Sequence, residues 1–284
     1  MRPAAPASGP GIGDDKGGTV VIDAALRAMQ AAGTLKGADI KIVLTGDEER
    51  TGAPLEIAPR DLIAAGNWAD VALEYENLAR EDGGDKGTVA RRSSANWTLT
   101  TTGKTGHSSG VFGASLGYGA AYELVRILDE FRRTLPEQNL TFNVGVMAAG
   151  TPATLAANNY QVSAGGKTNI VAEQAVARGD LRALTPEQEA KTRVAMQAIV
   201  AKSLPGTSAK LVFQDGYPPM SPTAGNRALL AKLNAVNRDL KLPEMAEMDP
   251  AQRGAADSAF VAADVDTLAG LGVAGGGAQA GGEW

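Results

Sequence analysis

Four segments near the start of the chain alternate between two hydrophobic periods, and that alternation most narrows the folds open to it. In residues 19–33 the apolar side chains Ile22, Ala25, Leu26 and Met29 recur at i, i+3, i+4 and i+7, the stripe of an amphipathic helix, and Gly33 suits its stop. DIKIVLTG (39–46) reads as a short strand, PRDLIAAG (59–66) as a helix and ADVALEY (69–75) as a second buried strand. Helix and strand in turn predict an α/β fold whose sheet is mostly parallel and flanked by helices. With 284 residues, 44% of them apolar, two domains are expected, because single cores stop growing at about 250–300 residues.

The pattern changes after the charged, glycine-bearing REDGGDKG (80–87), where a Thr-rich strand, SSANWTLTTTG, begins. A long helix follows over 114–133, with Leu124, Ile127, Leu128 and Phe131 on one face. LTFNVGVMAAG (140–150) and NIVAEQAVARGDL (169–181) read as strands. The next helix has Thr185 as its cap, Pro186 in its first position and Gln188 to close a capping box. AKLVFQ (209–214) makes a fourth strand, so two helices and four strands form an inserted α+β domain. Helices return at 225–240 and 256–263. The boundaries expected are 1–87 and 216–284 for one domain and 88–215 for the insertion.

A net charge of −5, and the lack of a basic stripe with interleaved aromatics, argue against nucleic acid as a partner. The chain has no cysteine, which excludes disulfides and thiolate metal sites. No apolar run reaches the roughly 18 residues of a membrane span, so a soluble protein with no membrane partner is expected. The opening MRPAAPASGPG has no apolar signal-peptide core, and the compartment stays open.

GPGIGDDKGG (9–18) cages Asp14, Asp15 and Lys16 in glycines just before the first helix. Its spacing is neither that of a dinucleotide fold nor that of a phosphate loop, which leaves a turn or a metal. TGDEER (45–50) and LEYEN (73–77) place further acids just past apolar strands, at the carboxyl edge where α/β sheets bind ligands. Any one of them alone also suits a helix cap or a solvated loop. Four carboxylates converging in one cleft (Asp14, Glu48, Glu49 and Glu76) would repel one another, and a divalent metal would relieve that repulsion.

In this order, GPGIGDDKGG, TGDEER, ALEYE, TGKTGHSSG and NIVAEQAVARGDLR resemble the di-zinc family of glutamate carboxypeptidases, aminoacylases, acetylornithine deacetylases and succinyl-diaminopimelate desuccinylases. The resemblance runs from about Gly9 to the C-terminus. It implies a metal-dependent hydrolase that cleaves an amide of a small peptide or N-acyl amino acid, with a catalytic domain in two parts and the insertion as its dimerisation or lid domain. By that resemblance Asp14 bridges two Zn²⁺ ions, Glu49 binds one and Glu76 the other, with Glu74 the rival of Glu76. Glu48 is the general base. His107, the sole histidine, reaches a second subunit's site in a homodimer and helps hold the scissile carbonyl. Asn169 and Arg182 anchor the substrate. Local readings stand beside these: a loop bonded to nearby serines for His107, and a salt bridge along one strand face for Arg182.

The family gives each metal an outer histidine, one in an H-x-D motif before the glycine cage and one near the C-terminus. Here eight residues precede Gly9, and Gln279 stands at the second position. An amide oxygen is a poor exchange for imidazole at zinc. Weak or no metal binding is therefore expected of this chain. The resemblance reads it as an incomplete piece of a hydrolase or as a catalytically silent homologue that acts through dimerisation or binding.

Overall fold

The computed structural model describes residues 7–49, 51–277 and 282–284. In chain order the elements are α1 (Gly17–Ala32), α2 (Arg60–Trp68), β1 (Ala72–Leu73), β2 (Ala79–Glu81), β3 (Gly84–Gly87), β4 (Ser94–Gly103), α3 (Gly119–Thr134), β5 (Thr141–Phe142), β6 (Val146–Gly150), β7 (Ala153–Leu155) and β8 (Val162–Ala164). There follow β9 (Gln174–Arg182), α4 (Pro186–Val200), β10 (Thr207–Tyr217), α5 (Ala224–Asp239), β11 (Ala246–Glu247) and β12 (Thr267–Leu268). The chain divides into two units, one running up to Arg92 and resuming at Pro219, the other being Ser93–Pro218.

The first unit is α/β. Its β1 and β12 pair in parallel, Ala72 with Thr267 and Leu73 with Leu268. The expected strand over 39–46 carries no strand structure. Its alternating Ile40, Ile42 and Leu44 are 47, 48 and 68% exposed, because a period-2 pattern becomes a strand only where a neighbouring ladder takes its N–H and C=O groups. The helix expected at 256–263 is a 3₁₀ turn over Asp257–Phe260. Asn226 in α5 locks this unit: its buried amide donates to Val89 O and Ser221 O at 3.0 Å each and accepts Thr267 N–H at 2.8 Å. Beside it Arg91 and Met220 exchange two backbone hydrogen bonds, at 2.9 and 3.0 Å.

The second unit is α+β. Its sheet runs β10-β4-β9-β5, antiparallel, with β6 also on β9. In β4 the residues Ala95, Trp97, Leu99 and Thr101 are buried in alternation, the period of a strand with one covered face. They meet Leu124, Ile127 and Phe131 of α3 and Met196 of α4, with the Trp97 and Phe131 rings edge to face at 6.3 Å. One expected strand, 140–150, is two: Phe142 opposes Leu181 and Val146 opposes Arg178. Four steps on one side against three on β9 make a bulge, which raises the sheet from the expected four strands to five.

Candidate active site

The glycine cage is a turn that presents its amides to a carboxylate. Gly11 turns the chain at φ +67°, where a side chain would be strained. Three donors, the N–H groups of Gly11, Gly13 and Asp14, then point at Glu283, at 2.8, 2.8 and 2.9 Å. These bonds, the Asp14 amide first, hold Glu283 below the usual carboxylate range. The same turn starts α1, where a side chain on Gly18 would collide with Asp15 Oδ1 and Tyr75 O.

Asp14, thus positioned, shares a side-chain hydrogen bond with Glu49. Burial raises its carboxyl, and the charges of Glu283 and Glu74 add to that. Asp15 is pushed up to about 6 by burial and then by Asp14 and Glu74, against the Gly18 N–H. Glu48 is pushed up to about 7, by burial first and then by the charges of Asp257, Glu49 and Asp14, with Arg91 opposing. The structure therefore gathers Asp14, Glu48 and Glu49 into one electrostatic cluster.

Glu76 has a different neighbour. Glu74 and Glu76 follow β1, whose end is held by Glu74 N–H to Leu268 O at 3.0 Å. Both carboxylates converge on Arg91: its Nη2 donates to Glu74 Oε1 and Oε2 at 2.9 and 3.1 Å and to Glu76 Oε2 at 2.7 Å. Ser258 Oγ donates to Glu74 at 3.2 Å. Burial pushes both carboxyls up; Arg91 and a hydrogen bond from Glu76 nonetheless hold Glu74 down, whereas Glu76 rises to about 8.

The two metal ions implied by the resemblance do not fit what is present. Among the described residues no three His, Cys, Asp or Glu side chains form a group that could hold a metal ion. The donors that do approach one another are carboxylates, whereas zinc favours nitrogen and sulfur. Gln279 lies outside the described residues.

In the second unit, His107 and Asn169 come together: they lie at an antiparallel bridge from His107 to Ile170, and Ser108 N–H donates to Asn169 O at 2.9 Å. His107 is exposed, and its Nδ1 lies 2.9 Å from Ser109 Oγ. Arg182 ends β9, which starts at Gln174 after Asn169, and its Nε donates to Asp180 Oδ2 at 2.9 Å.

Three residues of the first unit escaped the sequence reading: Arg91, Arg253 and Glu283. The paired arginines of TVARRSS offered a faint signal, since a cation beside an apolar run calls for a partner. Glu283 offered none.

The chain is thus a split α/β unit with acids at its strand and loop ends, interrupted along the sequence by an α+β unit. The chain belongs to peptidase family M20/M25/M40, whose model matches residues 7–284. Carboxypeptidase G2 of Pseudomonas sp. (strain RS-16) is 27% identical over 239 residues, 82% of this chain and 51% of that protein. The chain thus spans about half the length of this curated relative. Among solved structures, aminopeptidase PepT from Bacillus cereus ATCC 10987 superposes with a TM-score of 0.66 at 19% identity, over 95% of this chain and 65% of that one. A tripeptidase from Staphylococcus aureus subsp. aureus Mu50 gives 0.56 at 17% identity, over 76% and 52%. At those identities the likeness is one of fold.

Proposed function

We propose that this chain acts in the hydrolysis of an amide bond next to a carboxylate, in a small peptide or an N-acyl amino acid, with Glu48 as proton acceptor. The observation that carries the reading is the setting of Glu48, whose carboxyl is pushed up to about 7 by burial and by neighbouring acids. A base of that strength takes a proton near neutral pH and returns it. Glu48 would accept the proton of an attacking water while its oxygen bonds to the amide carbon, then pass that proton to the nitrogen as the C–N bond breaks. The resemblance implies two zinc ions in a complete family member; the described residues do not make that site, and no step is assigned to it.

Arg182 would grip the substrate carboxylate with its planar fork. His107 and Asn169 would steady the carbonyl from a second copy of the chain. Supporting the second copy is the geometry of β9, which runs about 26 Å from Gln174 to Arg182, with Asn169 before its start. One small substrate does not span that distance within one copy, so a homodimer through the inserted unit is part of the proposal.

The test is a panel of N-acyl amino acids and dipeptides, assayed with added Zn²⁺ on the unaltered chain and on E48A. Slow hydrolysis of a panel member that disappears in E48A is expected. Hydrolysis that persists in E48A assigns the proton to another group. A second reading, a silent homologue that dimerises or binds without turnover, is favoured by Arg91 holding Glu76; a panel with no hydrolysis would leave that reading standing.

A further inference from the structure

The resemblance gives Glu76 to a metal ion, yet in this chain that carboxylate already has a cation. Arg91 Nη2 lies 2.7 Å from Glu76 and 2.9 Å from Glu74, with the Arg91 side chain 1% exposed. Water therefore does not reach the guanidinium, while the Glu74 and Glu76 side chains stay 14 and 26% exposed. The guanidinium is also fixed from other directions. Its backbone is bound to Met220 on both sides, and its Nη1 donates to Gly254 O at 3.0 Å.

A second guanidinium strengthens the local positive charge. Arg253 is tethered through Nη2 to Asn77 O at 3.2 Å, and it stands near enough to oppose Arg91 and to attract Glu74 and Glu76. A divalent ion brought to Glu76 would meet two like charges in a poorly screened interior. It would also have to break the Arg91 contact at 2.7 Å and leave the buried guanidinium with Glu74 as its one carboxylate partner, a costly loss.

We infer that Arg91 stands where a metal would otherwise balance Glu74 and Glu76, so that this end of the acid cluster is held together by the chain's own cation and is closed to divalent ions. The inference is independent of the hydrolytic reading, because it concerns which charge holds the acids rather than which group moves a proton.

Equilibrium dialysis of the full chain against Zn²⁺, with bound zinc measured directly, tests it on the unaltered protein, E76Q and R91M. E76Q should bind as the unaltered chain does, including the case in which neither retains zinc. R91M, with both carboxylates released, should bind zinc more tightly by about tenfold or more. Loss of a bound equivalent in E76Q would overturn the inference, as would a folded R91M that binds no more tightly. Should R91M fail to fold by circular dichroism, E76Q decides alone. No turnover is read, so failure here and failure of the hydrolytic proposal are separate results.

Discussion

Glu283 accepts the backbone N–H of Asp14 at 2.9 Å across 269 positions of chain. That bond and its two neighbours from Gly11 and Gly13 fix where Asp14 can stand. E283A should lower the thermal midpoint, and E283Q should lower it less, since a neutral amide still accepts hydrogen bonds but more weakly. The contribution of Glu283 is present above the ordinary carboxylate range and is lost on acidification, because its carboxyl is held low. A midpoint unchanged in both variants would contradict this role.

Raised carboxyls impose the opposite dependence. Asp15 titrates at about 6, Glu48 at about 7 and Glu76 at about 8, each above the value it has in an unfolded chain. The folded state therefore holds protons that the unfolded state has released, and stability falls as pH rises through these values. Denaturant midpoints should decline from about pH 5 to pH 8, and E48Q should flatten the part of that slope below about pH 7. A flat profile in the unaltered protein would count against the clustered arrangement.

In the inserted unit, Glu123 is a fully buried carboxylate that accepts from Arg126 at 2.6 Å, Leu204 N–H at 2.9 Å and Thr207 Oγ1 at 3.0 Å. Removing it strands the Leu204 N–H and takes the carboxylate from Arg126, which keeps the Lys202 and Ile199 carbonyls, while Thr207 keeps Leu204 O. E123A should cost about 3 kcal/mol in urea unfolding, the scale of breaking a buried pair by deleting one partner. A cost indistinguishable from that of an exposed Glu→Ala change would show that the network contributes little.

Residues 39–46 expose apolar side chains at strand period, with Ile42 48% and Leu44 68% exposed. Such a segment invites pairing with another chain. I42K should reduce light scattering at high concentration without lowering the thermal midpoint, and unchanged scattering would remove this segment as the cause of association.

Much of the architecture was legible because it is local. Thr185 caps α4 by accepting Gln188 N–H at 3.2 Å, while Gln188 Oε1 reaches Leu184 N–H at 2.8 Å, one residue before the cap. Helix α5 likewise starts at Thr223, which accepts Asn226 N–H at 3.0 Å. Glu48, Glu49 and Glu76 were visible because each follows an apolar run, and Asp14 because glycines cage it. What escaped depends on distant neighbours: residues 39–46 have strand periodicity without a ladder, and the bulge between β5 and β6 is set by pairing with β9. The partner of Glu76 is an arginine 15 positions on, brought there by the bridge to Met220, and no local pattern announces it.

The central claim is that the acids of this M20 chain are balanced by Arg91 where a metal ion is expected, and an experimental structure grown with excess Zn²⁺ tests it most directly. Arg91 Nη2 is expected within hydrogen-bond distance of both Glu74 and Glu76, near the 2.9 and 2.7 Å seen here, with no ion on Glu76. Zinc bound jointly by Asp14, Glu49 and Glu76, with Arg91 turned away, would contradict it.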